Sequence, residues 1–386
     1  MRIAVVHDSL NSGGGAERLA LYMARALYEA GYDVDLVTIE KTNWARLEEV
    51  TWRGVRDYFK HELTVPYLRI PLSLYDTFNA WFVKDIIYYS LKLRGKYDLV
   101  MLTKPTHVPI LADVAYIHFP SFYPGVETLY YPERYIRNTV LRAYSMLYRL
   151  ISWMLIKLYR EIQYRPLVLT NSSFSKAMIE KWLETPAIVL HPPIDIEKYL
   201  NYAKNKQRED LVVSVGRIEK AKGFHIIPYI AKETSGISYS IIGLESDRKY
   251  LNELRSLIKK LNLEDRVKIY TNLSEGEKLM IMSRAKVYLH PMKYEHFGIA
   301  VVEAMATGLI PIVHVKSGTW IDIVQSGKYG FGCNGEVSDC VDKVLKAVSI
   351  YDKLRNNIIN YVEKFSYKTF KSNLLKVIQI YSYRNI

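Results

Sequence analysis

Short apolar strands alternate with longer amphipathic stretches twice along the chain, and this pattern restricts the fold more than any other feature. In the first half, strand-like runs occur at 2–7, 33–38, 98–102, 113–118, 167–170 and 187–190. Helical patterns separate them, notably at 16–30, 74–93, 137–163 and 173–183. The alternation restarts at Leu211-Val-Val-Ser-Val215, with further strands near 239–243, 267–270, 286–290 and 310–315. Near-continuous apolar runs joined through helices predict parallel sheets covered on both faces, the α/β class. Right-handed crossovers then gather the loops after the strands at one edge of each sheet, where ligands bind. At 386 residues the chain exceeds what one hydrophobic core usually supports, so two domains are expected. The polar stretch Asn201–Asp210 is the expected linker.

The loop after the 286–290 strand carries the densest chemistry, Glu295-His-Phe-Gly-Ile-Ala-Val-Val-Glu303. It opens a helix that stops at Gly308, ahead of Pro311. Glu295 then lies in the loop and Glu303 about one turn inside the helix. Backbone N–H groups near Phe297, Gly298 and Ile299 form a helix start, which attracts an anion. A carboxylate on either side suits a ligand with a phosphate middle and hydroxyl-bearing ends, such as a nucleotide sugar. A solvated acidic pair is the plain alternative. After the first strand of the second half comes Gly216-Arg217-Ile-Glu-Lys-Ala-Lys222-Gly223. Arg217 and Lys222 at one strand end suit a diphosphate, because Arg forks onto two oxygens and Lys adds a point charge. The first half has its own glycine turn, Gly13-Gly14-Gly15-Ala-Glu17-Arg18, between strand and helix. Arg18 stands where the dinucleotide fingerprint needs its third glycine, so that fingerprint is not met.

A net charge of +13 asks for an acidic partner: nucleic acid, anionic lipid or a phosphorylated substrate. No recognised nucleic-acid module accompanies it, so nucleic acid is not expected. Cys333 and Cys340 form no disulfide framework and no zinc spacing. The Asp-x-Asp at Asp33-Val-Asp35 falls inside a strand pattern and reads as structural, so no metal is expected. Walker, HExxH and Gly-x-Ser-x-Gly motifs are absent. No signal peptide or spanning stretch is visible, and a cytoplasmic location is expected.

Gly-Arg-x4-Lys-Gly followed by Glu-x7-Glu, with a glycine turn after the first strand, resembles the family-4 retaining glycosyltransferases. His191-Pro-Pro-Ile-Asp195, Thr170-Asn-Ser-Ser-Phe-Ser175 and Tyr116-Ile-His-Phe-Pro120 are similar to segments of mannosyltransferases that extend lipid-linked oligosaccharides. The resemblance implies the GT-B fold, two Rossmann-like domains facing a central cleft. Residues 1–195 would be the acceptor-side domain and 196–365 the nucleotide-sugar domain, with a helix at about 366–386 packing back onto the first. It implies diphosphate binding by Arg217 and Lys222, ribose binding by Glu303 and donor-sugar contact by Glu295. Amides around Phe297, Gly298 and Ile299 would touch the donor, Gly14 and Gly15 would close over it, and His118 would lie against the transferred sugar. His296 departs from the family, in which Gly is common after the first Glu.

These expectations describe an enzyme that moves a hexose from a GDP- or UDP-linked sugar to a glycan or polyprenyl-linked acceptor, without metal and with retention of configuration. A sugar-nucleotide epimerase of the same fold and a non-catalytic glycan- or lipid-binding protein are the alternatives. Residues 134–165 set arginines and lysines, among them Arg142, Arg149 and Lys157, between aromatics such as Trp153. Such a helix can lie on an anionic membrane surface near the acceptor, or pack in the core with its arginines solvated.

Overall fold

In a computed structural model, residues 1–64, 95–104, 112–120, 139–162 and 165–384 are described. The helical pattern at 74–93 lies outside them. The chain divides into two compact units, Met1–Pro193 with Phe370–Ile386, and Ile194–Thr369. The change of unit at Pro193/Ile194 leaves Asn201–Asp210 inside the second unit, so this stretch is not a linker. Its polar residues end one helix and start the next strand.

The first unit is built on β1 (Arg2–Val6), β2 (Asp33–Thr38), β3 (His61–Thr64), β4 (Leu99–Leu102), β5 (Val114–Ile117), β6 (Leu167–Thr170) and β7 (Ala187–Val189). They form one parallel sheet in the order β3-β2-β1-β4-β5-β6-β7. Helices α1 (Gly15–Tyr28), α2 (Trp44–Val50), α3 (Thr139–Glu161) and α4 (Ser173–Leu183) belong to this unit. The middle strands are buried throughout, which is why they read as unbroken apolar runs.

The second unit contains α5 (Ile196–Ala203), β8 (Glu209–Val215), α6 (Ile227–Glu233), β9 (Ser238–Gly243), α7 (Arg248–Lys260) and β10 (Val267–Thr271). It continues with α8 (Glu275–Arg284), β11 (Ala285–His290), α9 (Ile299–Ala306), β12 (Ile310–His314), α10 (Gly318–Asp322) and β13 (Phe331–Cys333). Helices α11 (Val337–Ser349) and α12 (Tyr351–Tyr361) follow. Its parallel sheet has the order β10-β9-β8-β11-β12-β13. The last helix, α13 (Tyr367–Arg384), crosses the unit boundary. Lys371 on it pairs with Glu29, just past α1, at 2.8 Å.

Two strands escaped the periodicity, β3 and β13, and both are sheet edges. His61-Glu-Leu-Thr64 is largely exposed, and Phe331-Gly-Cys333 is three residues with a central glycine. An edge strand pairs on one side only and needs no apolar run. In each sheet the strand order reverses direction once, between β1 and β4 and between β8 and β11. Crossovers leave in opposite directions there, opening a crevice at the carboxyl ends of the strands.

Asp35 is fully buried in β2 and gathers Arg2, His61 and Tyr97 around its carboxylate at 2.7–3.1 Å. Burial opposes its charge, but the hydrogen bonds from Arg2, His61 and Tyr97 hold its carboxyl below the ordinary value. The Asp-x-Asp is thus structural. Asp35→Ala leaves three donors without their acceptor and is expected to destabilise the fold by roughly 2 kcal/mol. Denaturant unfolding checks this; an unchanged midpoint would show the network contributes nothing.

Candidate active site

Both strands bordering the crevice of the second unit end in charged groups. After β8 the chain passes Gly216 and Arg217 into a short helical turn, Lys220–Lys222, closed by Gly223 at φ +71°. After β11 the loop reaches Glu295. Lys222 Nζ donates to Glu295 Oε2 at 2.9 Å and lies 3.3 Å from Met292 Sδ. Both charged side chains are mostly buried, 16 % and 15 % exposed. Glu295 Oε2 also meets His290 Nε2 at 3.1 Å, and Oε1 accepts from the His296 amide at 3.1 Å. The Gly318 amide donates to the Glu295 carbonyl at 2.8 Å, fixing the loop's backbone.

Burial alone would raise the Glu295 carboxyl. The Lys222 charge and the His290 hydrogen bond outweigh it and hold the group well below the ordinary value. Burial lowers His296 to about 4, so that ring is neutral. Arg217 is 61 % exposed and reaches Glu219 at 3.1 Å, so its guanidinium is largely in solvent. Glu303 is buried on α9, with Oε2 3.5 Å from Lys278 Nζ, and Lys278 pairs with Glu275 at 2.8 Å. The structure therefore joins Lys222 to Glu295 directly, and gives Arg217 and Glu303 other partners.

The Phe297 ring is buried against Phe365, centroid to centroid 5.8 Å. Gly298 is the N-cap of α9 at φ +86°, and no side chain caps that helix start. A Cβ on Gly298 would stand 2.4 Å from Thr319 Cγ2, so backbone hand and space both require glycine. Ile299 then begins the helix, and Glu303 comes one turn later.

The crevice of the first unit, between β1 and β4, holds a second polar network. Thr103 Oγ1 lies 2.9 Å from the Val6 carbonyl and 2.7 Å from His7 Nδ1. His7 Nε2 lies 3.4 Å from Glu17 Oε1, which also accepts from Lys104 Nζ at 3.1 Å. Burial opposes the Glu17 charge, yet the His7 hydrogen bond and Lys104 hold its carboxyl far below the ordinary value. His118 donates from Nε2 to the Thr103 carbonyl at 3.0 Å. Burial, with His7 and Lys104 nearby, lowers it to about 3, leaving a neutral ring. Gly14 is the N-cap of α1, where a Cβ would stand 2.8 Å from Glu17 Oε2, and Gly15 is the first residue of that helix.

Sequence reasoning singled out His118, Gly14 and Gly15 but missed His7, Thr103, Lys104, His290 and Lys278. A usable signal existed for three of these. His7, Thr103 and His290 are polar residues at the ends of apolar strands, where a continuous run gives no reason for them. Lys278 and Lys104 look like ordinary surface lysines, and only the fold brings a carboxylate to each.

Helix α3 presents a mixed apolar and basic surface. Ser152, Ile156 and Tyr159 are buried, with Ile156 and Tyr159 packing against Ile117, Val168, Ile179 and Leu183. Met146, Leu150, Trp153, Met154 and Leu158 are exposed at helical spacing, and Arg142, Arg149 and Lys157 are exposed among them. Lys157 Nζ lies 4.5 Å above the Trp153 ring. Among the described residues no group of three or more His, Cys, Asp or Glu could hold a metal ion, and no helix is long and apolar enough to cross a membrane.

Comparison with known proteins agrees with this fold. Residues 195–365 match the family model described as Glycosyl transferases group 1, and residues 13–198 match Glycosyltransferase Family 4. Solved structures with the same fold include Anabaena HepE in complex with UDP, at TM-score 0.72 and 17 % identity over 98 % of this chain and 100 % of that one. A Rickettsia africae glycosyltransferase superposes at TM-score 0.68 with 16 % identity, covering 98 % and 97 %. The chain is thus a glycosyltransferase of the GT-B fold. It belongs to the family-4 glycosyltransferases, nucleotide-sugar-dependent transferases.

Curated relatives narrow the likeness. An alpha-1,3/1,6-mannosyltransferase of Dictyostelium discoideum is 24 % identical over 98 % of each chain. A GDP-Man:Man(3)GlcNAc(2)-PP-Dol alpha-1,2-mannosyltransferase of the same organism is 24 % identical over 68 % of this chain, and the match spans 58 % of that protein. The human protein of that name is 23 % identical over 98 % of this chain and 87 % of its own.

The glycine at the head of α9 gives a direct test of the site's architecture. Gly31 has a similar φ of +83° with open space around its Cβ position, whereas Gly298 has both the positive φ and the close Thr319 contact. Gly31→Ala is expected to cost about 1 kcal/mol, and Gly298→Ala clearly more because of the added overlap. Thermal unfolding of the two variants compares them; equal losses would show that the loop at Thr319 yields freely.

Proposed function

We propose that this glycosyltransferase moves mannose from GDP-mannose to a lipid-linked oligosaccharide, with retention of configuration and without a divalent metal. The observation that carries the reading is the Lys222–Glu295 pair at the carboxyl ends of β8 and β11, bordered by Arg217 and the uncapped start of α9. The choice of mannose, GDP and a dolichol-type acceptor draws on the names of relatives matching nearly the whole chain. Cleaving the sugar–phosphate bond develops negative charge on the leaving diphosphate and positive charge on the sugar carbon. Arg217, Lys222 and the α9 amides would stabilise the first. Fixed donors and cations need no reorganisation at the moment of reaction, and removing one typically costs about 3 kcal/mol in the transition state. Glu295 would face the donor sugar and Glu303 the ribose. In the first unit, His118 and the turn at Gly14 and Gly15 would serve sugar binding, as the family resemblance implies.

Transfer assays with GDP-mannose, UDP-glucose and UDP-N-acetylglucosamine, with and without a polyprenyl-diphosphate oligosaccharide, test this reading. GDP release that depends on acceptor is expected, with an α-linked product and full activity in excess EDTA. Arg217→Ala and Lys222→Ala should weaken GDP binding and lower kcat, Glu303→Ala should mainly raise KM for the donor, and Glu295→Ala should mainly lower kcat by roughly 100-fold. Wild-type kinetics in all four variants would displace the site. Loss of activity on chelation, restored by magnesium, would overturn the metal-free reaction.

We infer that the exposed face of α3 is the membrane contact of a peripheral enzyme on the cytoplasmic side. Met146, Leu150, Trp153, Met154 and Leu158, exposed beside Arg142, Arg149 and Lys157, match an interfacial helix that joins apolar and cationic side chains. Each basic residue near an anionic surface contributes about 1 kcal/mol, screened by salt. Sedimentation with phosphatidylserine vesicles should be strong at low salt, weaker at high salt, and lost when Arg142, Arg149 and Lys157 are changed together to Glu. Equal binding to neutral vesicles, or no loss in the triple variant, would remove the helix from the acceptor's path.

A further inference from the structure

His290 ends β11, almost fully buried, with its ring stacked near that of Tyr288 at 6.1 Å and 13° between planes. Its Nε2 lies 3.1 Å from Glu295 Oε2, while its Nδ1 is buried with no hydrogen-bond partner among the described residues. These two facts fix the ring's chemistry. A proton on Nδ1 would be stranded, and a bare Nε2 would then set its lone pair against a carboxylate. A doubly protonated ring strands the Nδ1 proton as well. The ring is therefore neutral with its proton on Nε2, and that N–H donates to Glu295. Burial, reinforced by Lys222, lowers its basicity despite the attraction of Glu295.

We propose that His290 is a positioning residue that holds the Glu295 carboxylate in place for the donor sugar once Lys222 turns to the donor diphosphate. The inference rests on the donor-site reading above. Lys222 can serve Glu295 fully only while no diphosphate competes for its ammonium. With the donor bound, Glu295 keeps two fixed donors: His290 Nε2–H on Oε2 and the His296 amide on Oε1. The first belongs to a buried ring at the end of β11, near-parallel to the Tyr288 ring, with no second hydrogen-bond partner among the described residues. Charged and titratable groups facing the ring and its carboxylate are Lys222, His296 and Tyr288.

Gln can place an amide near the imidazole Nε2 position; Met fills similar volume without a donor, and Asn is too short to reach Glu295. His290→Met is expected to lower kcat for GDP-mannose by roughly 10- to 100-fold, the worth of a hydrogen bond to a buried charge, with the dissociation constant for GDP unchanged. Without that N–H the Glu295 carboxyl rises, so the acid limb of the kcat profile should move to higher pH. His290→Gln should restore both kcat and the acid limb. If the Met variant does not fold, Gln and Asn are compared in the same way, and Asn should behave as the defective one. Wild-type kcat and acid limb in the Met variant, or equal loss in Met and Gln with weakened GDP binding, would overturn the proposal and reduce His290 to packing. Glu295→Ala keeps the two readings apart: wild-type kcat there defeats the donor site, whereas its loss beside an unaffected His290→Met defeats only this inference.

Discussion

Parallel strands can be joined only by crossovers, and crossovers on opposite faces must diverge somewhere in the sheet. That geometric constraint produces the crevices between β1 and β4 and between β8 and β11. The polar networks around Glu295 and Glu17 gather at the carboxyl ends of the two sheets, while the buried Asp35 network sits near the amino ends of β1, β2 and β3. Strand interiors are mainly apolar, Asp35 in β2 being a charged exception that its three donors satisfy. Thr103, His7, His118 and His290 therefore sit at fixed positions with backbone on both sides. A ligand site built on such ends inherits the precision of the sheet rather than the mobility of a loop.

Placing charges in these crevices is expensive. A buried ion pair persists only where further hydrogen bonds complete it, and breaking one by removing a partner costs about 3–5 kcal/mol. Glu295 meets that condition with Lys222, His290 and the His296 amide; Glu17 meets it with Lys104 and His7. Each network thus keeps a carboxylate ionised and oriented before any ligand arrives. A carboxylate prepared in this way need not reorganise when positive charge develops on a sugar carbon. The neutral state of His118 and His296 follows from the same burial, without a compensating acid close enough to reverse it.

Much of this was legible in the sequence because burial on both faces writes unbroken apolar runs. β1, β2, β6 and the central strands of the second unit fall within a residue or two of expectation, as do α1 and α4. The motif around Glu295 and Glu303 and the strand-end cations were visible because glycines and charges interrupt those runs at regular places. β3 and β13 were not, since an edge strand needs neither length nor apolarity. The partner of a charge was also hidden. Lys222 and Glu295 are far apart in sequence, and nothing local distinguishes Lys222 from Lys220, which the fold leaves exposed beside Glu253.

The α3 surface shows what periodicity alone leaves open. Its sequence allowed either an interfacial or a core-packed helix; among its described side chains Ser152, Ile156 and Tyr159 are buried, while Met146, Leu150, Trp153, Met154 and Leu158 are exposed. A helix packed against a sheet needs only a narrow contact, which Ile156 and Tyr159 supply to Ile117 and Val168. The exposed apolar side chains Met146, Leu150, Trp153, Met154 and Leu158 do not serve that contact, and a group of large apolar side chains left exposed is the kind of surface that marks a partner. Basic residues within the same face narrow the partner to one both apolar and anionic. The lipid surface proposed above has both properties, and it would bring a lipid-linked acceptor to the same unit that carries His118 and Lys104.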